Sequence, residues 1–171
     1  MKKVLVLCIL IAMGSVALCG CSDADNQSND QSGTQAEVKW KDTGPKDETI
    51  GVFMELEDIT PTGLTAHLKI YEKKDDVELL YGEMYWIEKY DGETWVDPLN
   101  NKDRTINSIA YSFNANGDSY FKVDWEWLYG KLSPGTYRFI KDVDDLKHRD
   151  ANDRYNRPLT YYLVTEFTIE N

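Results

Sequence analysis

The chain has 171 residues, enough for one ordinary domain with extensions and too few for two full domains. Aromatic residues make up 12 %, ample for a core, which excludes a wholly disordered polymer. A formal net charge of −11 repels phosphate backbones and disfavours nucleic acid as a partner.

Lys2 and Lys3 open a positive n-region, and residues 4–18 are mostly apolar. That run is short for a transmembrane helix and has the order of a signal peptide. Leu18-Cys-Gly-Cys21 follows, with Leu three residues before Cys21 and Gly directly before it. These residues resemble the bacterial lipoprotein signal, in which the Cys thiol is lipidated and the preceding peptide removed. The resemblance implies a signal peptide over 1–20, lipid on Cys21, and anchoring to the cell membrane on its extracytoplasmic side. Cys8, Cys19 and Cys21 are the three cysteines of the chain, so nothing beyond residue 21 can form a disulfide or act as a thiol nucleophile.

Residues 22–38 contain no aromatic side chain and are rich in Ser, Asp, Asn, Gln and Gly. Such a segment buries too little apolar surface to offset its ordering entropy. A flexible tether is expected from Cys21 to about residue 48, with a reach of about 25–30 Å. The folded domain is then expected over 49–171.

Residues 50–56 predict a first strand, and residues 63–71 a second. Leu64, Ala66, Leu68 and Ile70 face one way, and Thr65, His67, Lys69 and Tyr71 the other. Pro61-Thr-Gly63 makes the turn between them. Residues 73–77 form a charged turn. Residues 81–90 and 93–96 flank Asp91-Gly92, a two-residue hairpin signal. Large side chains stand on both faces of the first of these strands, Met84 and Trp86 against Tyr85 and Ile87, so the pattern leaves the core face open. Residues 97–107 read as a loop. Residues 109–113 and 119–123 are strands around the turn Asn114-Ala-Asn-Gly117. Residues 125–130 form one helical turn.

Leu132-Ser-Pro-Gly-Thr-Tyr137 then delivers the chain into an alternating strand over 137–141. A Tyr just past such a turn has the layout of a tyrosine corner, its hydroxyl bonding back to the loop backbone. Residues 142–158 are expected to form a long charged loop, and residues 161–169 the last strand. Short strands without a long helical period predict an all-β, antiparallel Greek-key sandwich of about 7–8 strands.

Residues 50–169 resemble bacterial immunoglobulin-like domains carried by predicted lipoproteins of Gram-positive bacteria. The matching residues are Tyr81-Gly-Glu83, Asp91-Gly-Glu-Thr-Trp95, Val123-Asp-Trp125, Leu128-Tyr-Gly130, Leu132 and Pro134-Gly-Thr-Tyr-Arg138. The Leu-x-Pro-Gly-x-Tyr corner is also similar to that of fibronectin type III domains. The family resemblance implies an immunoglobulin-like sandwich on the cell exterior. It implies no activity and no functional residues.

A hydrolase needs a nucleophile, a base and an oxyanion site. His67 and His148 are the two histidines; the first is expected on a polar strand face and the second in a loop, both at the surface. No Gly-x-Ser-x-Gly or His-Glu-x-x-His spacing occurs, and neither a cofactor nor catalysis is expected. Asp142, Asp144 and Asp145, with Asp150 and Asp153, are candidate ligands for calcium, a hard cation that takes several oxygens. The stretch lacks the Asp-x-Asp-x-Asp-Gly order and contains no Gly, which favours a salt-bridged, solvated loop. Tyr81, Tyr85, Trp86, Tyr90, Trp95, Trp125, Trp127 and Tyr129 exceed what one core needs. Most are expected inside, Trp125 as a cap on the sandwich. Trp86, Tyr90 and Trp95 are the candidates for an exposed partner-binding cluster.

The reading that follows is a lipid-anchored, non-catalytic binding module for an envelope protein or glycan. The alternative is a small-ligand or calcium-sensing lipoprotein accessory to a transporter or receptor, built on an acidic pocket near 142–153. A third reading, an envelope hydrolase, requires a cleft joining His67 or His148 to paired carboxylates.

Overall fold

A computed structural model describes residues 43–99, 107 and 109–171. The expected signal peptide, Cys21 and the tether up to residue 42 lie outside the described residues, as do 100–106 of the expected 97–107 loop.

Two antiparallel sheets make the sandwich. The four-stranded sheet has the order β1 (Lys46–Asp47), β2 (Val52–Thr60), β3 (Gly63–Ile70) and β8 (Asp118–Asp124). The six-stranded sheet contains β4 (Leu79–Gly82), β5 (Tyr85–Tyr90), β6 (Trp95–Val96), β7 (Ala110–Ser112), β9 (Gly135–Arg149) and β10 (Pro158–Ile169). In it β10 lies on one side of β9 and β5 and β4 on the other, with β6 beyond β5 and β7 beyond β4. This is the expected immunoglobulin-like architecture. The described residues carry more strands than expected because β1, of two residues, is too short to leave a periodic trace and the expected 81–90 strand divides into β4 and β5.

The period-two pattern sets the core. Val52 and Met54 of β2, Leu64, Ala66 and Leu68 of β3, Tyr85 and Ile87 of β5, and Tyr137, Phe139 and Val143 of β9 pack in one cluster with Leu163, Phe167 and Ile169 of β10. The open question of β5 is thus decided: Tyr85 and Ile87 point inward, Trp86 and Glu88 outward.

One end of the sandwich is tied by carbonyl groups of the β2–β3 turn. The Pro61 carbonyl accepts from the Trp125 indole Nε1 at 3.0 Å and from the Leu132 backbone N–H at 2.9 Å. Trp125 is fully buried beside Phe167, just ahead of α1 (Glu126–Tyr129). Tyr137 forms the expected corner. Its hydroxyl donates to the Ser133 carbonyl at 2.7 Å, and its ring stacks on Phe167 at 5.5 Å.

Four expectations are corrected. The tether does not run to residue 48, because Lys46 and Asp47 pair with Phe53 and Val52, and the Asp47 carboxylate accepts from the Thr49 and Ile50 N–H groups to make the turn. The expected strand 81–90 is interrupted at Glu83 and Met84. There the Lys141 ammonium, fully buried, enters the gap and donates to the Met84 carbonyl at 2.8 Å. The Asp91-Gly92 hairpin has four residues between the paired Tyr90 and Trp95, because the Asp91 carboxylate holds the Glu93 and Thr94 N–H groups, each at 2.9 Å. The charged loop 142–158 is mostly strand: β9 runs to Arg149 and pairs with β10 from Pro158, leaving 150–157 as the turn. Charged residues hide this strand because Lys141 and Asp145 occupy inward positions, where hydrogen bonds satisfy them.

Candidate functional site

Trp86, Glu88 and Tyr90 project from the outer face of the six-stranded sheet at a spacing of about 7 Å per step. Trp86 reaches across β9 to Tyr162 of β10, edge to face with ring centres 6.0 Å apart. Ile140, on the same face and paired with Trp86, is fully buried. Further along, Tyr90 is 43 % exposed and tilts against Trp95, its cross-strand partner, at 5.3 Å. The Arg138 guanidinium lies 4.8 Å from the Trp95 ring centre and pairs with Glu88. The three aromatic candidates therefore share one face. The structure brings Tyr90 and Trp95 together around an Arg–Glu pair and sets Trp86 apart in a half-buried stack.

The aspartates do not face a common point. Asp145 is fully buried, and its carboxylate accepts from the Glu78 and Lys147 N–H groups, each at 3.0 Å, and contacts His148 Nδ1. Burial pushes its carboxyl up, but the Glu78 N–H, His148 and the Lys147 N–H together hold it below the usual carboxylate value. Asp142 and Asp144 alternate to the outer face. Asp142 takes the Lys141 ammonium at 2.6 Å, and Asp144 takes the Thr160 hydroxyl at 2.6 Å. Asp150 and Asp153 sit in the 150–157 turn, where Asp153 pairs with Arg157. The calcium reading thus loses its donor set.

Two groupings escaped the sequence reading. His67 is 4 % exposed, not at the surface as expected. The Tyr120 ring of β8 stacks on it at 4.0 Å, and carboxylates of Asp118 and Glu57 flank it. Glu55, Glu57 and His67 are the metal-ligand types that converge among the described residues, with one donor atom from each within 4.8 Å of the others. Trp127, expected with the core aromatics, is 64 % exposed and walls a cleft of about 200 Å³ with Glu83, Phe121, Lys122 and Asp124. Trp125 and Trp127 lie two residues apart around a helical turn, so they cannot share a face. That spacing was the available signal.

Among the described residues no helix is long and apolar enough to cross a membrane. No curated protein and no solved structure matches the chain. A family described as the bacterial Ig-like domain matches residues 25–160. The match takes in the Trp125 cap, the Tyr137 corner and every strand up to the start of β10, and the chain belongs to the bacterial Ig-like domain family.

Proposed function

We propose that the chain is a lipid-anchored, extracytoplasmic and non-catalytic interaction module. Its contact surface is the outer face of the six-stranded sheet around Tyr90, Trp95 and Trp86. The observation that carries this reading is the patch in which exposed Tyr90 tilts on Trp95 while Arg138 stacks over it and pairs with Glu88. Tyr, Trp and Arg are the residue types enriched at the energetic centres of protein interfaces. An open sheet face suits a protein partner better than a small ligand, which favours a concave pocket. The anchor rests on Leu18-Cys-Gly-Cys21, and the non-catalytic part on the lack of a Gly-x-Ser-x-Gly or His-Glu-x-x-His spacing in the sequence.

A second reading is favoured by one observation, the exposed Trp127 beside a concave surface with Glu83 and Asp124. An aromatic platform next to carboxylates suits a glycan ring.

Photo-crosslinking on intact cells separates the two, with benzoylphenylalanine at Tyr90 or Trp127 and a control at Thr65. A discrete protein adduct at Tyr90 supports the first reading. A glycan adduct at Trp127 alone transfers the function to the cleft, and no adduct at either refutes both. The anchor is tested by detergent partitioning, where Cys21→Ala should move the full chain into the aqueous phase. Unchanged partitioning would overturn lipidation.

A further inference from the structure

The outer face of the four-stranded sheet, a different surface from the one proposed for the partner, places His67 at its centre. Register sets Glu55 of β2 directly opposite His67 on one side and Tyr120 of β8 on the other. Glu57 and Asp118 follow diagonally, and Lys69 and Thr65 flank His67 on β3 itself. Cross-strand neighbours stand about 5 Å apart at Cβ, so donors from three strands meet over one ring.

The hydrogen bonding of that ring is directional. His67 Nε2 lies 3.1 Å from an Asp118 carboxylate oxygen, and a carboxylate can only accept. Nε2 therefore carries a proton, and in the neutral ring Nδ1 is a bare lone pair. Nδ1 faces the Glu57 carboxylate at 3.4 Å, which is also an acceptor. His67 is 4 % exposed and Glu57 half-exposed, so the Nδ1 lone pair stands in a mostly dry pocket opposite an acceptor, where a cation, whether a proton or a metal ion, would be stabilised. Charge points the same way: Glu55, Glu57 and Asp118 carry three negative charges around the ring, against Lys69, at 2.7 Å from Glu55, and Lys122, registered opposite Thr65 on the same face.

We infer that His67 Nδ1, Glu57 and Glu55 form a binding site for one divalent metal ion of the zinc type. Asp118 is the positioning residue that fixes the ring. Imidazole with carboxylates suits zinc and its neighbours rather than calcium, which takes oxygen alone. A carboxylate on the second ring nitrogen is the usual support of a metal-bound histidine. Donors at about 2.0–2.2 Å from a tetrahedral ion stand about 3.5 Å apart. The three donor atoms lie within 4.8 Å, so the glutamates must close by about 1 Å, which their half-exposed side chains permit. Lys69 keeps one Glu55 oxygen and leaves the other for the ion. The remaining coordination positions open to solvent.

The test is zinc titration of the chelator-treated full chain by calorimetry, with calcium as the comparator and thermal unfolding in parallel. The expected result is one equivalent of zinc, a raised midpoint of unfolding with zinc, and no response to calcium at the same concentration. Glu57→Gln and Asp118→Asn change side chains that are 47 % and 41 % exposed, so both variants should fold. Each should weaken zinc binding by at least about tenfold. Unchanged affinity in both variants, an equal response to calcium, or no zinc uptake by the parent chain would overturn the site. In the last case, ring-nitrogen NMR showing both His67 nitrogens protonated would identify a proton as the bridging cation.

Discussion

Tyr137→Phe isolates the corner, because it deletes one oxygen and leaves the ring stacked on Phe167. The lost bond is the 2.7 Å donation to the Ser133 carbonyl, with the Ser133 hydroxyl a further neighbour at 3.3 Å. A net hydrogen bond contributes about 0.5–1.5 kcal/mol, and stranding its acceptor adds to that. Ser133 is exposed, so water re-satisfies much of its carbonyl. The expected loss is therefore about 1–2 kcal/mol, not the larger figure for a fully buried orphan. At about 3–5 °C per kcal/mol for a domain of this size, the thermal midpoint should fall by roughly 3–10 °C. Urea unfolding of the full chain carrying Cys21→Ala should show a lower midpoint at an unchanged slope. Tyr90→Phe is the control, since its hydroxyl bonds the Gly92 carbonyl in an exposed hairpin and should cost less than about 0.5 kcal/mol. Equal, small effects from the two substitutions would refute the view that the corner stabilises the fold.

Gly51 has φ +66, and a Cβ there would lie 2.0 Å from the Glu72 carbonyl oxygen, so Gly51→Ala should cost more than about 2 kcal/mol in the same urea assay. Asp145→Asn should cost about 2 kcal/mol at neutral pH, because an amide replaces an acceptor oxygen facing donors. With the folded carboxyl held below its ordinary 3.8, the Asp145 contribution is full above that pH and lost as pH falls through the folded value. The stability difference between parent and variant should therefore shrink on acidification. Lys141 is pushed below its ordinary 10.5 by burial, against the pull of Asp142. Its folded form releases a proton before its unfolded form does, so parent stability should rise relative to Lys141→Met as pH approaches 10.5. A flat difference in paired unfolding curves from pH 7 to 10 would contradict a charged, desolvated Lys141.

What was legible in the sequence had local causes. Pro134-Gly135 ahead of Tyr137 announced the corner because turn and tyrosine are neighbours in the chain. The alternation at 63–70 announced β3 because its inward residues are all apolar. The far half of β9 was not legible, since Asp145 is stabilised inside by the N–H of Glu78, a residue 67 positions away. Lys141 was hidden for the same reason, its amine being held by the carbonyl of Met84, 57 positions away. The hairpin at Asp91-Gly92 was legible but its register was not: the Asp91 carboxylate holds the Glu93 and Thr94 N–H groups and moves the partner of Tyr90 to Trp95. His67 was assigned to the correct strand face and the wrong environment: alternation fixes direction, whereas burial here comes from Tyr120 and Asp118 on another strand.

The short β1 has a mechanical consequence. The Gly44 carbonyl accepts from Val164 of β10 at 3.2 Å, and the Pro45 carbonyl from Met54 of β2 at 2.7 Å, so this entry segment is stitched to both sheets. Under the proposed anchoring at Cys21, a tug between membrane and partner would enter the domain at these stitches. They involve successive residues, so a load entering from the N-terminal side would meet the Gly44 bond before the Pro45 bond. Each freed residue lengthens the tether by about 3.5 Å. Release from Gly44 to Asp47 thus gives slack before load reaches β9, while Trp95 sits on β6 at the opposite edge of the sheet from β10. In the proposed anchored module, the entry strand would act as a sacrificial extension spring that yields ahead of the sheet face around Trp95.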